Sequence, residues 1–163
     1  MKLIEGRIQE QALDLQEHKF SQKVVELLKE KFDGYVTLTI EGFDGLEEGT
    51  LIFRSGRVIA ASYEYLKYGV VVNGNPAIAQ VFNAGTAEFG VFDIVSFRST
   101  DAELTIAVNP KVRIDVSVSS GDINKLTKKS FNSAYARKVL SMVLKTSSHK
   151  TEIMKKLGLG SMG

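Results

Sequence analysis

Two arginines bracket a two-residue turn. Arg54-Ser55-Gly56-Arg57 joins the β-rich runs Gly49–Phe53 and Val58–Tyr63. Guanidinium groups at a hairpin tip can grip a carboxylate or a phosphate through paired N–H donors. The ordinary alternative, that charge keeps an exposed turn soluble, is favoured for Arg54 and Arg57. A second basic set comes late in the chain, with Lys128, Lys129, Arg137, Lys138, Lys145, Lys155 and Lys156. Residues 1–119 carry 12 Lys and Arg against 17 Asp and Glu, whereas residues 120–163 carry 9 against 2. An acidic body with a basic tail either folds the tail onto itself, in one chain or a dimer, or offers it to an anionic partner.

The remaining reactive side chains are few. With no cysteine in the sequence, disulfide and thiolate chemistry are excluded. A zinc site would need His18, His149 and carboxylates far apart in sequence, and both histidines read as surface residues. No Gly-Lys-Ser/Thr phosphate loop, nucleophile elbow or paired-histidine zinc motif occurs. The glycines at 42, 45 and 49 alternate with acids that would repel phosphate, and Glu47-Glu48 reads as a solvated loop pair. No catalytic residue, metal site, cofactor or small-molecule substrate is therefore expected, and the enzyme reading is the poorest. Tyr63, Tyr65 and Tyr68 can stack on bases or on a partner, but packing on the sheet is the better reading. No run reaches the roughly 18 apolar residues of a membrane span. Met1–Gly6 lacks the apolar stretch of a signal peptide, so a cytoplasmic location is the default expectation.

These residues need elements to hold them. Leu3–Leu15 shows no clear period, and its first part is compatible with a strand. Phe20, Val24, Leu27, Leu28 and Phe32 form one apolar stripe, which predicts a helix capped by Ser21 and ended by Asp33-Gly34. Val36, Leu38 and Ile40 alternate with polar residues as a half-buried strand does. With the hairpin this makes an antiparallel meander, covered on its apolar face by the preceding helix. Asn75-Pro76 predicts a cap and first helical position for a short buried helix ending at Gly85. Ala87–Phe97 is apolar on both phases and reads as a central strand. Asp93 within it suggests exposure near a bulge rather than catalysis. Thr100 and Glu103 suggest a capping box, with the helix stopping before Asn109-Pro110. Val112–Ser119 alternates as a last strand or an extended linker.

The fold class expected is α+β: an antiparallel meander and hairpin sheet packed with helices, followed by a basic α-helical segment. The boundary predicted at Ser119-Ser120-Gly121 separates a 1–119 domain from a 120–163 tail. In that tail Phe131, Ala134, Tyr135, Val139, Met142 and Val143 gather on one side of a helix, with Leu140 and Leu144 outside the arc. Arg137, Lys138, Ser141 and Lys145 band the other side, and a second helix is expected near Lys150–Leu157. A docking helix pair explains the apolar arc best, ahead of a helix-turn-helix reader and a membrane-surface element.

The run Gly49-Thr50-Leu51-Ile52-Phe53-Arg54-Ser55-Gly56-Arg57-Val58-Ile59-Ala60-Ala61, preceded by a helix with two leucines and a strand, resembles the PATAN-like (PatA N-terminal) domains. It is especially similar to an archaeal family of uncharacterised proteins with that core, and Met1–Gly6 fits its opening. The resemblance covers roughly residues 1–110; Tyr63–Asn73 departs from it and the basic tail lies outside it. It implies a non-catalytic module found with signalling and regulatory partners, and brings no catalytic residues. The expected function is thus a protein–protein interaction module that binds a partner or itself. The alternative is a protein that holds nucleic acid or anionic lipid through its basic tail.

Overall fold

The computed structural model describes residues 1–143 together with Lys145 and Gly158. The expected second tail helix, and with it Lys155 and Lys156, lies outside the described residues. By contacts the chain divides into two units, Met1–Phe131 and Asn132–Gly163.

The first unit is built on a six-stranded, wholly antiparallel sheet. Its strands are β1 (Arg7–Asp14), β2 (Gly34–Glu41), β3 (Leu46–Arg54), β4 (Arg57–Tyr65), β5 (Val70–Asn73) and β6 (Gly90–Ser96), in the order β1-β6-β2-β3-β4-β5. The expected meander is β2-β3-β4. The expected central strand is β6, shorter than its apolar run, inserted between β1 and β2. Four helices belong to this unit: α1 (Phe20–Lys29), α2 (Asn75–Ala84), α3 (Ser99–Val108) and α4 (Ser120–Leu126). The α+β class is as the periodicities predict.

The sheet alternation sorts side chains to two faces. Val36, Leu38 and Ile40 of β2, Leu51 and Phe53 of β3, and Phe92 and Ile94 of β6 are buried. Phe20 of α1 stands edge-on to Phe92 at 5.4 Å, and Val81 of α2 sits over Gly49. Burying Phe20, Val24 and Leu27 stabilises by about 1.5–3 kcal/mol each, which is what holds α1 down. On the opposite face Ile52, Ala60, Ala102 and Val112 form a separate cluster, flanked by Met1, Leu3, Tyr35, Phe97 and Ile106. Through it α3 and the first residues of the chain pack on that face.

Several helix ends differ from expectation, each for a local reason. Lys19, not Ser21, is the α1 N-cap. The helix ends at Lys29 because Lys31 takes a left-handed turn (φ 54°) and Phe32 N–H reaches back to the Leu27 carbonyl at 3.2 Å. Gly74 caps α2, freeing Asn75 to bond with Asp115 instead. Gly85 is right-handed; it is glycine because a Cβ there would meet the Phe20 ring at 2.5 Å. In α3 the first turn is closed by Arg98 and Asp101 rather than by Thr100 and Glu103: the Asp101 carboxyl accepts the Arg98 amide at 3.1 Å, and the Asp101 amide donates to the Arg98 carbonyl at 2.8 Å. Asp93 does sit at a bulge: β1 skips register beside it, and its carboxyl accepts the Ala12 amide at 2.6 Å.

In the second unit, residues 134–143 are helical. The stripe that is buried or half-buried is Ala136, Val139, Leu140 and Val143, the spacing of one helix face. Leu140 therefore belongs to the covered arc. Tyr135 and Met142, expected within it, are exposed.

Candidate functional site

The β3–β4 hairpin brings the sequence-predicted arginines to one place. Ser55 (φ 50°) and Gly56 (φ 71°) form a turn with both central residues left-handed, the geometry that suits the twist of two strands. The turn is not a loose loop. Gly56 N–H donates to the Phe32 carbonyl at 2.9 Å, and Ser55 N–H donates to the Asp33 carboxyl at 2.7 Å. The tip is thereby tied to the chain that leaves α1, and the arginines beside it are carried on fixed backbone.

Arg54 and Arg57 lie directly opposite each other across the last strand pair. Arg54 is ion-paired with Glu103 of α3. Arg57 has no carboxyl partner among the described residues. A third arginine joins them. After α3 the chain makes a 3₁₀ turn at Pro110–Val112, and Arg113 forms an isolated bridge to Ala60 of β4. Ile114 N–H donates to the Ile59 carbonyl at 3.1 Å. The Arg113 side chain, too, has no carboxyl partner among the described residues.

Between the outer side of the hairpin, α3 and residues 113–118 lies an open groove of about 580 Å³. Its mouth carries Arg54, Arg57 and Arg113, and its walls include Ile59, Ile106 and Val116. The two acids on it are engaged: Glu103 with Arg54, and Asp115 with Asn75, whose side-chain amide donates to it. Two guanidinium groups above an apolar floor therefore remain available to an incoming anion with apolar neighbours. Arg113 was not singled out in the sequence, although a signal existed. It falls on the polar phase of the Val112–Ser119 alternation, so a strand reading of that run places it on the solvent face.

The other polar candidates sort differently. Glu47 is not in a solvated loop: β3 begins at Leu46, and Glu47 is only 3% exposed. Its carboxyl accepts the Tyr63 hydroxyl at 2.5 Å and the Phe43 amide at 3.0 Å. Tyr65 donates to Gln80 at 2.6 Å. Burial, and then the neighbouring Glu47, push both phenols well above their usual range, so they stay protonated donors. Glu48, on the opposite face, is held above the ordinary carboxyl range by burial and by Glu64 directly across from it. Tyr68 is partly exposed and donates to Asp44.

Lys128 and Lys129 are exposed beyond α4, and Lys129 lines a separate shallow depression with Glu88 and Phe131. Arg137, Lys138 and Lys145 are exposed in the second unit. Among the described residues no group of three or more acidic or histidine side chains could hold a metal, and no helix is long and apolar enough to cross a membrane.

No curated protein and no solved structure matches the chain. Residues 1–109 match the family described as "Uncharacterized protein conserved in archaea (DUF2226)". The matched span holds the whole sheet, α3, Arg54, Arg57 and Glu103, and ends just before Arg113. Matched over well more than half of its length, the chain belongs to this archaeal family.

Proposed function

We propose that this chain is a non-catalytic regulatory or signalling module that works in the cytoplasm by binding another protein. The observation that carries this reading is the groove beside the hairpin tip, where apolar side chains meet two arginines with no carboxyl partner among the described residues. Such a surface suits a segment that brings both acidic and apolar side chains, since each alone would leave half of the groove unsatisfied. The PATAN-like character of Gly49–Ala61 supports it as well, because domains of that kind accompany signalling partners. Affinity capture with the full-length chain and with an Arg57→Glu/Arg113→Glu variant tests the proposal. A partner recovered by the first and lost by the second is expected; recovery of no partner by either chain overturns it.

A second reading has its own support. The basic excess of residues 120–163, with Lys128, Lys129, Arg137, Lys138 and Lys145 exposed, suits nucleic acid or anionic lipid. Phosphate contacts release counterions, so such binding falls steeply as salt rises. Absence of binding to duplex DNA, RNA and phosphatidylserine vesicles at low salt would remove this alternative.

A further inference from the structure

We propose that the chain self-associates by seating the basic helix of residues 134–143 of one copy on an acidic, partly apolar strip of the sheet of a second copy. The strip lies at the Glu41 end of β2, whereas the arginine groove lies at the Gly34 end, beside Phe53. This inference therefore stands apart from the reading given to the groove.

Residues directly opposite each other on antiparallel strands share a face, so the register shows which side chains stand in line. One line crosses all six strands as Asp14, Val91, Thr39, Glu48, Glu64 and Val71. On the same face Glu41 and Leu46 stand opposite each other in the next line. The Glu41 amide donates to the Phe89 carbonyl at 3.0 Å, which brings Phe89 alongside. Leu46, Phe89 and Val91 are 54%, 54% and 43% exposed. With Asp14, Thr39 and Glu41 they line an open depression of about 440 Å³. One exposed apolar side chain is ordinary, but three around one depression mark a contact surface.

Charge names the occupant. Among the described residues Asp14, Glu41, Glu48 and Glu64 make no ion pair. No basic residue stands in the line that crosses the sheet. The repulsion is already felt at Glu48, where burial and then Glu64 hold the carboxyl above its ordinary range against the pull of the amino terminus. A cation laid over the pair relieves it.

The complement is carried by the second unit. Along its helix Tyr135, Lys138 and Met142 recur at spacings of three and four, which is one helix face, and Lys145 follows three further on. All four are exposed, unlike the stripe of Ala136, Val139, Leu140 and Val143. This face joins apolar to basic side chains, where the strip joins apolar to acidic ones. A phosphate backbone would answer the lysines and offer nothing apolar to Tyr135. Because each copy carries both surfaces, two copies exchange helices reciprocally and the assembly closes as a dimer.

Sedimentation velocity of the full chain over a rising concentration series tests this. A concentration-dependent dimer is expected, weakening as salt rises. Glu41→Lys/Glu64→Lys and Lys138→Glu/Lys145→Glu should each weaken it by about tenfold or more. Mixed in equal amounts the two variants should recover it, since the mixed pair restores opposite charge at both contacts. Recovery also shows that both chains are folded. Should a reversed chain fail to fold by circular dichroism, Glu41→Gln/Glu64→Gln must still weaken the dimer, to a smaller extent. Phe89→Ser should weaken it at high salt as well as at low. A chain that stays monomeric at every concentration overturns the inference. So does a dimer indifferent to these substitutions, or a mixture of folded variants that does not recover. Binding of duplex DNA or phosphatidylserine vesicles through Lys138 and Lys145 by a chain that remains monomeric assigns the helix to an anionic partner and likewise overturns it. Affinity capture with Arg57→Glu/Arg113→Glu reads the groove alone, so neither result decides the other.

Discussion

One hairpin carries two opposite solutions to polar chemistry. At its base, Glu47 and Tyr63 are buried and bonded to each other, and Tyr65 is bonded to Gln80. At its tip, Arg54, Arg57 and Arg113 outnumber the acids beside them, and among the described residues only Arg54 has a carboxyl partner. A buried group left without a partner loses hydration and gains nothing, so the base had to be completed within the fold. The tip is solvated, so an unmatched charge there costs little and stays available. Completed polar groups mark structure; unmatched ones on a rigid support mark a surface for something else.

The sharpest way to break this contrast is at the base. Glu47→Ala leaves the Tyr63 hydroxyl buried without its acceptor and takes the Glu47 bond from the Phe43 amide. A loss of about 3 kcal/mol is expected from urea unfolding. Glu47→Gln keeps an acceptor and should recover most of it. Arg57→Ala, by contrast, should stay within about 0.5 kcal/mol of the parent, as exposed substitutions do. Equal costs at the two ends would erase the distinction.

The tip's rigidity is the next point of attack. A Cβ on Gly56 would lie 2.5 Å from the Leu28 carbonyl oxygen and 2.7 Å from Lys31 Cα, in a left-handed conformation that disfavours any side chain. Gly56→Ala should cost about 2 kcal/mol and detach the turn from the end of α1. A thermal melt measures the first effect. Loss of amide protection at Ser55 and Gly56 reports the second.

A smaller effect lies at a pair of acids on the same face of the sheet as α3. Glu48 faces Glu64, and burial together with that neighbour raises its carboxyl above the ordinary range, while the chain's amino terminus pulls the other way. The folded state therefore holds the proton more tightly than the unfolded one. The associated stability is complete below the ordinary carboxyl range and is lost as pH rises through the shifted value. Glu48→Gln should match the parent near pH 4 and exceed it near pH 7, by less than about 1 kcal/mol. A variant no more stable than the parent at neutral pH would show that the pair is relieved in another way.

What the sequence disclosed follows from how local each cause was. The alternation of Val36, Leu38 and Ile40, the stripe Phe20-Val24-Leu27 and the Ser55-Gly56 turn are set by neighbours within a few residues, and all three are in place. β6 was legible as a central strand because it is apolar on both phases, yet its neighbour β1 was not, since a bulge answered by Asp93 breaks its period. Glu47 misled because loop-like glycines precede it, and only the arrival of Tyr63 from β4 makes burial tolerable. Arg54 and Arg57 could be paired from the turn alone. Arg113 could not, because Ala60 and Arg113 meet through the long return by way of α2, β6 and α3.

The last measurement asks whether the Arg54–Glu103 pair belongs with the base or with the tip. Its side chains are 44% and 64% exposed. Ion pairs so placed trade little desolvation for a weak attraction and lose side-chain freedom in doing so. A double-mutant cycle with Arg54→Ala and Glu103→Ala should give a coupling of about 0.2–1 kcal/mol, falling as salt rises. That value leaves Arg54 free to exchange Glu103 for an acidic residue of a partner at small cost, so all three arginines would serve the groove. A coupling of several kcal/mol that salt does not reduce would make Arg54 part of the fold, as Glu47 is, and leave Arg57 and Arg113 as the groove's two binding charges.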